Sequence, residues 1–359
     1  MEIDANLIKS LKKVYKEEMQ MKAIVYSAPR EYELKEVPKP EPKANQVLIK
    51  VMACGVCRTD MHIHEGDFIS KFPLIPGHEF TGEIAELGAD VKGFAVGDRV
   101  VGDNTVLCGE CYYCRRNQPL FCENFYSLGC NGPGGFAEYV VVNYDKVFHI
   151  SDTLTYDQAI FAEPLACAVH GMDVIAPKCG DDILIFGAGP TGILLTQLLK
   201  YGGASHLVVC ASSREKLDFI REKGYADTVY MDREDYSKHT EEIKERYPQG
   251  FDIVIDATGA PKVLEQCFAF PKKAGKIIVY GVCASDARIS VSPYQIFNNE
   301  LKILGSFAQT HCFDRAVKYL ESGIIQVDGL VSGYYSLEEF GKAMHTMVYE
   351  KALKLVIKP

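Results

Sequence analysis

The chain has 359 residues, 47% of them hydrophobic and 24% charged, and carries a net charge of −9. That length suits two domains of ordinary size, and the acidic balance argues against a general nucleic-acid binder, whose surface would be basic. No apolar run reaches the roughly 18 residues of a membrane span, so neither nucleic acid nor a membrane is expected as a partner.

In residues 1–20 the apolar positions Leu7, Ile8, Leu11, Val14 and Tyr15 recur at helical spacing among Lys and Glu. This extension predicts a short amphipathic helix, and Glu17 and Glu18 argue against a mitochondrial presequence. Lys22 to Glu36 reads as strands, followed by a Pro-rich run from Pro38 to Pro42, and Gln46 to Ala53 reads as a further apolar strand. Glycines punctuate Gly77 to Gly102 as they do between short strands, so the front of the chain is expected to be mostly β. It also carries chemistry: Cys57-Arg58-Thr59-Asp60-Met61-His62, then Gly77-His78-Glu79, then Glu163-Pro164-Leu165. Thiolate, imidazole and carboxylate together make a reasonable zinc shell with room for water or substrate. On spacing alone the set is only suggestive, because a lone His is usually structural and Cys54 neighbours Cys57.

Between these lies Cys108, Cys111, Cys114 and Cys122, in a segment whose Gly109 and polar residues suggest a loop. Four close thiols can close a tetrahedral shell around zinc, and a shell with no open position is structural. Four cysteines also suit an iron–sulfur cluster, but nothing else in the chain suggests electron transfer. The 13 cysteines, in a long chain without a secretory leader, read as metal ligands and free thiols of a reducing compartment, here the cytoplasm.

From about Gly180 the texture changes. Strands are expected at Asp181 to Phe186, His206 to Ala211, Phe251 to Ala257 and Lys276 to Tyr280, with helices at Ile193 to Lys200, Arg214 to Lys223 and Pro261 to Phe270. Such alternation signals a parallel sheet covered by helices. The first turn is Gly187-Ala188-Gly189-Pro190-Thr191-Gly192. It follows a buried strand and opens a helix, the context in which G-x-G-x-x-G binds a dinucleotide. The first glycine permits the tight turn, the second admits the pyrophosphate, and the third lets helix and strand close-pack. An acid normally follows the next strand to meet the ribose of NAD; here Ala211-Ser212-Ser213-Arg214 has none. Small hydroxyls with Arg214 suit a 2′-phosphate, so NADP is the expected cofactor, with NAD as the alternative. Arg214 is equally an ordinary solvated first-turn residue. Past Gly305 the alternation weakens, and Ala352 to Ile357 reads as a strand that would fit a return to the front domain.

The run Gly55-Val56-Cys57-Arg58-Thr59-Asp60, the Gly77-His78-Glu79 block, the four-cysteine set and Gly187 to Gly192, four motifs in this order, resemble the zinc-containing medium-chain alcohol/polyol dehydrogenases over nearly everything after Met21. Glu163-Pro164-Leu165 looks like the sorbitol/polyol branch. The runs Phe72 to Glu79, Pro119 to Phe125 and Ser306 to Phe313 look like fungal D-arabinitol dehydrogenases. The resemblance implies a GroES-like catalytic domain, residues 21–170 with 306–359, and an inserted Rossmann domain, residues 171–305. It implies two zinc ions: a catalytic one on Cys57, His78 and Glu163, with Glu79 binding directly or exchanging with water, and a structural one on the four-cysteine set. Asp60 would orient the His78 ring, Thr59 would bridge alcohol and cofactor ribose, His62 would pass the proton on, and Arg58 would pair with the pyrophosphate. The implied reaction interconverts D-arabinitol and its ketose, D-xylulose or D-ribulose, in a homodimer or homotetramer. Sorbitol, xylitol, butanediol or another secondary alcohol on the same machinery is the alternative. A non-catalytic NADP-binding relative or a zinc-independent reductase would be expected to lack the metal ligands.

Overall fold

The computed structural model describes residues 19–67, 69–350 and 352–359; the helix expected near the N-terminus lies outside them. The chain divides into two compact units. One comprises the residues up to Glu163 together with Val317–Pro359, and the other is the continuous stretch Pro164–Ala316. Both divisions fall inside helices, whereas the expected boundaries are 170/171 and 305/306.

The divided unit begins with a hairpin, β1 (Gln20–Ala28) and β2 (Glu31–Pro38). Strand β3 (Gln46–Val56) is followed by helix α1 (Arg58–Glu65) and β4 (Glu79–Leu87). Then come β5 (Arg99–Gly102), β6 (Thr105–Val106), the single turn α2 (Tyr112–Arg115) and β7 (Tyr126–Ser127). After them follow β8 (Tyr139–Asn143), β9 (Val147–His149), α3 (Tyr156–Ala159) and the first two residues of α4 (Ala162–Ile175), the rest of which belongs to the continuous unit. Strand β3 is the spine. It is almost wholly buried, because it pairs with β4 and β8 and packs its apolar residues into a core with Phe80, Phe136 and Phe340.

The continuous unit alternates strand and helix: β10 (Asp182–Phe186), α5 (Pro190–Tyr201), β11 (His206–Ala211), α6 (Arg214–Glu222), β12 (Asp227–Tyr230) and α7 (Tyr236–Arg246). It goes on through β13 (Phe251–Asp256), α8 (Pro261–Cys267), β14 (Pro271–Val279), α9 (Pro293–Asn298) and β15 (Lys302–Gly305). All pairings are parallel, in the order β12-β11-β10-β13-β14-β15. That is the doubly wound Rossmann order, whose ligand crevice lies where the two halves diverge, at the carboxyl ends of β10 and β13. The buried run Ile183 to Phe186 explains why β10 can sit at the centre, covered on both faces.

Helix α10 (Phe313–Glu321) leads back, and β16 (Val331–Ser336), α11 (Phe340–Tyr349) and β17 (Lys354–Lys358) complete the divided unit. Strand β17 pairs antiparallel with β3 and parallel with β16, so the tail does return to the front sheet. The protein is thus α/β, a mostly β GroES-like unit with an inserted Rossmann unit. Among the described residues no helix is long and apolar enough to cross a membrane.

Candidate active site

The carboxyl end of β3 delivers Cys57 to the N-cap of α1. Asp60 sits one turn on, and its Oδ2 accepts the Cys57 N–H at 2.8 Å. This reciprocal cap fixes the start of the helix and therefore the thiol. The other Asp60 oxygen faces His78 Nδ1 at 3.4 Å; both atoms are buried and neither has another partner. A carboxylate behind one ring nitrogen leaves the other free for a metal. Cys57, His78 and Glu79 each offer a ligand atom, and the three lie within 4.8 Å of one another. Thr59 Oγ1 is 3.7 Å from the Cys57 sulfur, His62 is half-buried on the same helix, and Arg58 is exposed. Glu163, in the first turn of α4, stands outside the 4.8 Å group. Cys54 is wholly buried and burial pushes its thiol pKa well up, so it is a core residue.

Glu79 has a partner that the sequence did not suggest. Lys354 Nζ, on β17, donates to both carboxylate oxygens at 2.7 and 2.6 Å. The two residues are 2% and 1% exposed. Burial works against the ammonium charge, but Glu79, with Cys57 and Glu163 nearby, more than offsets it and raises the Lys354 pKa.

In the Rossmann unit the glycine turn has the geometry its motif requires. Gly187 has φ +116°, a region that favours glycine, and a Cβ there would press on the carbonyl of Ala257, the residue just past β13, at 2.9 Å. A Cβ on Gly192 would meet the Gly187 carbonyl at 2.6 Å, whereas Gly189 faces open space, where backbone must admit a phosphate. Gly189 caps α5, Pro190 occupies its first turn, and Thr191 follows. At the end of β11, Ala211 is buried and Ser213 caps α6. The Arg214 guanidinium stacks on the Tyr230 ring at 4.0 Å, and Arg233 Nε donates to Ser212 Oγ at 2.9 Å. Two guanidiniums and a hydroxyl thus gather at the end of β11, where the Glu215 carboxylate is also present and accepts from Ser213 Oγ at 2.7 Å.

The four cysteines of the loop also lie within 4.8 Å of one another. Two of the sulfur–sulfur distances are 4.0 Å, Cys108 to Cys114, and 3.5 Å, Cys108 to Cys122. A zinc tetrahedron with bonds of about 2.3 Å has edges of about 3.8 Å, so the cage fits the ion. Backbone N–H groups of Glu110 and Cys111 lower the Cys108 thiol to about 6, which prepares it to bind as thiolate.

The alcohol dehydrogenase GroES-like domain family matches residues 43–152, and the zinc-binding dehydrogenase family matches residues 190–322. D-arabinitol dehydrogenase 1 of Uromyces fabae is 46% identical over 341 residues, covering 95% of this chain and 97% of that protein. The chain belongs to the zinc-binding alcohol dehydrogenase family. D-altritol 5-dehydrogenase of Agrobacterium fabrum is 36% identical to this dehydrogenase, over 85% of the chain and 90% of that protein. Among solved structures, a zinc-binding dehydrogenase of Sinorhizobium meliloti bound to NADP superposes with a TM-score of 0.89 at 31% identity, covering 95% of this chain and 99% of that one. An alcohol dehydrogenase of E. coli complexed with NADH gives 0.87 at 27% identity, covering 95% of this chain and 100% of that one.

The sequence reading of this dehydrogenase missed Lys354, Arg233 and Tyr230. Lys354 is 275 residues from its partner, and no local pattern links the two. For the other two a signal existed: Tyr230 closes β12, and Arg233 follows three residues later, where a parallel neighbour of β11 must end beside the ribose turn.

Proposed function

We propose that this dehydrogenase interconverts D-arabinitol and its pentulose, D-xylulose or D-ribulose, with NADP(H) preferred and NAD as a second acceptor. The observation that carries the substrate is the 46% identity to a D-arabinitol dehydrogenase along almost the full length of both chains. The cofactor preference is supported by Ser212, Arg214 and Arg233, two cations and a hydroxyl where a carboxylate would repel a 2′-phosphate. Two zinc ions per chain are proposed: a structural one in the cage of Cys108, Cys111, Cys114 and Cys122, and a catalytic one held by Cys57 and His78. Glu163 would add a carboxylate from the start of α4, directly or through water.

When bound, zinc supplies a Lewis acid that eases loss of the alcohol proton, and NADP supplies the hydride acceptor. The chain does the rest. Asp60 fixes the His78 ring and the first turn of α1. Thr59, on that turn, would bridge the alcohol and the cofactor ribose, accepting the alcohol proton as it releases its own hydroxyl proton, and His62, three residues along the same helix, would pass the released proton to water. Arg58 offers its guanidinium to the cofactor pyrophosphate. Gly187, Gly189, Pro190, Thr191 and Gly192 bring backbone up to the same group, while Ala211 and Ser213 form the ribose turn, with the Glu215 carboxylate turned to the Ser213 hydroxyl.

A homo-oligomer, dimer or tetramer, is proposed as well. Strand β15 ends the Rossmann sheet, and beside it Tyr294 and Phe297 are 72% and 80% exposed. A second copy pairing along that edge would cover them. A reducing compartment, the cytoplasm, is also proposed, because five of the thirteen cysteines are assigned to zinc as thiolates. The deciding experiment is a panel of D-arabinitol, xylitol, sorbitol and 2,3-butanediol with each cofactor, ranked by kcat/KM. D-arabinitol with NADP should lead; a clear lead for another alcohol, or for NAD, overturns that part of the proposal.

A further inference from the structure

The Glu79–Lys354 pair crosses three strands. Register sets Val356 of β17 opposite Gly55 of β3, and Gly55 opposite Glu79 of β4. Residues paired across a sheet project to one face, and residues two apart on a strand share a face. Lys354, two residues before Val356, therefore lies on the face that carries the Glu79 side chain, with β3 between them. The ammonium reaches the carboxylate only because the intervening residue has no side chain. A Cβ on Gly55 would overlap Glu79 Oε2 and stand 3.2 Å from its Cδ.

The same carboxylate lies within 4.8 Å of the ligand atoms of Cys57 and His78. It is thus within reach of two cations, the ammonium that holds both its oxygens and the metal those residues would bind. An unpaired buried carboxylate is strongly disfavoured, so whichever cation is lost, the other should take it. We propose that Lys354 is a positioning residue: it tethers Glu79 through the gap at Gly55 and thereby keeps the carboxylate out of the catalytic metal's shell, leaving a position open for substrate. This rests on the reading that Cys57 and His78 hold a metal.

The test uses the full chain loaded with Co²⁺, with the spectrum of Cys57→Ala subtracted to remove the contribution of the four-cysteine cage. Lys354→Met should shift and weaken the visible band as the freed carboxylate raises the coordination number. Release of that cobalt to a chelator should slow by about tenfold or more, the size of effect typical of residues behind metal ligands. Lys354→Arg should keep the wild-type spectrum, and the double variant Lys354→Met/Glu79→Gln should return to it. Gly55→Ala provides an independent route, since it parts the pair without removing either charge and should give the same shift. Thermal melting identifies which variants fold. A wild-type band that folded Lys354→Met or Gly55→Ala leaves unchanged, with unchanged release, overturns the role of Lys354 alone. No wild-type band beyond that of Cys57→Ala overturns the metal reading, and this proposal with it.

Discussion

Replacing Arg233 by Gln removes one of the two guanidiniums at the end of β11 and leaves Arg214 stacked on Tyr230. Arg233 lies 2.9 Å from the Ser212 hydroxyl, close enough for both groups to hold one phosphate. A hydrogen bond to a charged group is worth about 1.5–3 kcal/mol. Arg233 is exposed and solvent screens it, so the lower end applies, and about 1.4 kcal/mol corresponds to tenfold. Arg233→Gln should therefore lower kcat/KM for NADP about tenfold while leaving NAD within about twofold. Calorimetry adds a reading free of turnover: 2′,5′-ADP should lose affinity and 5′-ADP should not. Raising ionic strength should narrow the wild-type preference in the same direction. An equal fall with both cofactors, or no fall with either, would refute the assignment of Arg233 to the 2′-phosphate.

Three further outcomes can be measured. His239 on α7 is wholly buried with both ring nitrogens unpartnered, and burial lowers its pKa despite Asp235, Glu242 and Asp232 nearby. The unfolded chain then binds more protons as pH falls below about 6.5, so stability is full above that value and declines below it. His239→Leu should flatten this acid-side decline in melting temperature and stabilise by about 1–3 kcal/mol; an unchanged pH slope would count against it. Cys122→Ser should cost one zinc equivalent by metal analysis and make the loop between β6 and β7 sensitive to protease, with the glycine turn still binding nucleotide; full zinc content would refute the cage. Phe297→Asp should reduce the oligomer measured by light scattering, and an unaltered mass would remove the β15 edge from the interface.

Much of the Rossmann unit was legible because its signals are local. The runs at β10, β11 and β13 and the glycine turn each fit within a dozen residues, so apolar periodicity and turn chemistry suffice. Helix α5 starts at Pro190 rather than at the expected Ile193, because proline is at home in a first helical turn. Helix α7 escaped notice: Tyr236–Arg246 is polar, and only His239 and Ile243 on it are buried, too weak a stripe to see. With it went β12, and hence Tyr230 and Arg233. The ligand types were visible as motifs, but their assembly was not. Cys57 could be separated from Cys54 only by resemblance, until the structure put Cys54 in the core. Glu79 was read as a metal ligand alone because its partner stands on a strand whose alternation reveals pairing but not what Lys354 touches.

The divided unit borrows its strands from distant parts of the chain. Strand β3 cannot acquire β17 as a neighbour until residues 354–358 have left the ribosome, long after Pro164–Ala316 has emerged. The nucleotide-binding unit is contiguous and its contacts are closed by short crossovers, so it can fold while synthesis continues. The GroES-like sheet must wait with an open edge along β3 and with Glu79 lacking its ammonium. During that interval the half-made sheet is the part most exposed to mispairing, and the order of synthesis makes the cofactor unit the first to mature and the metal pocket the last.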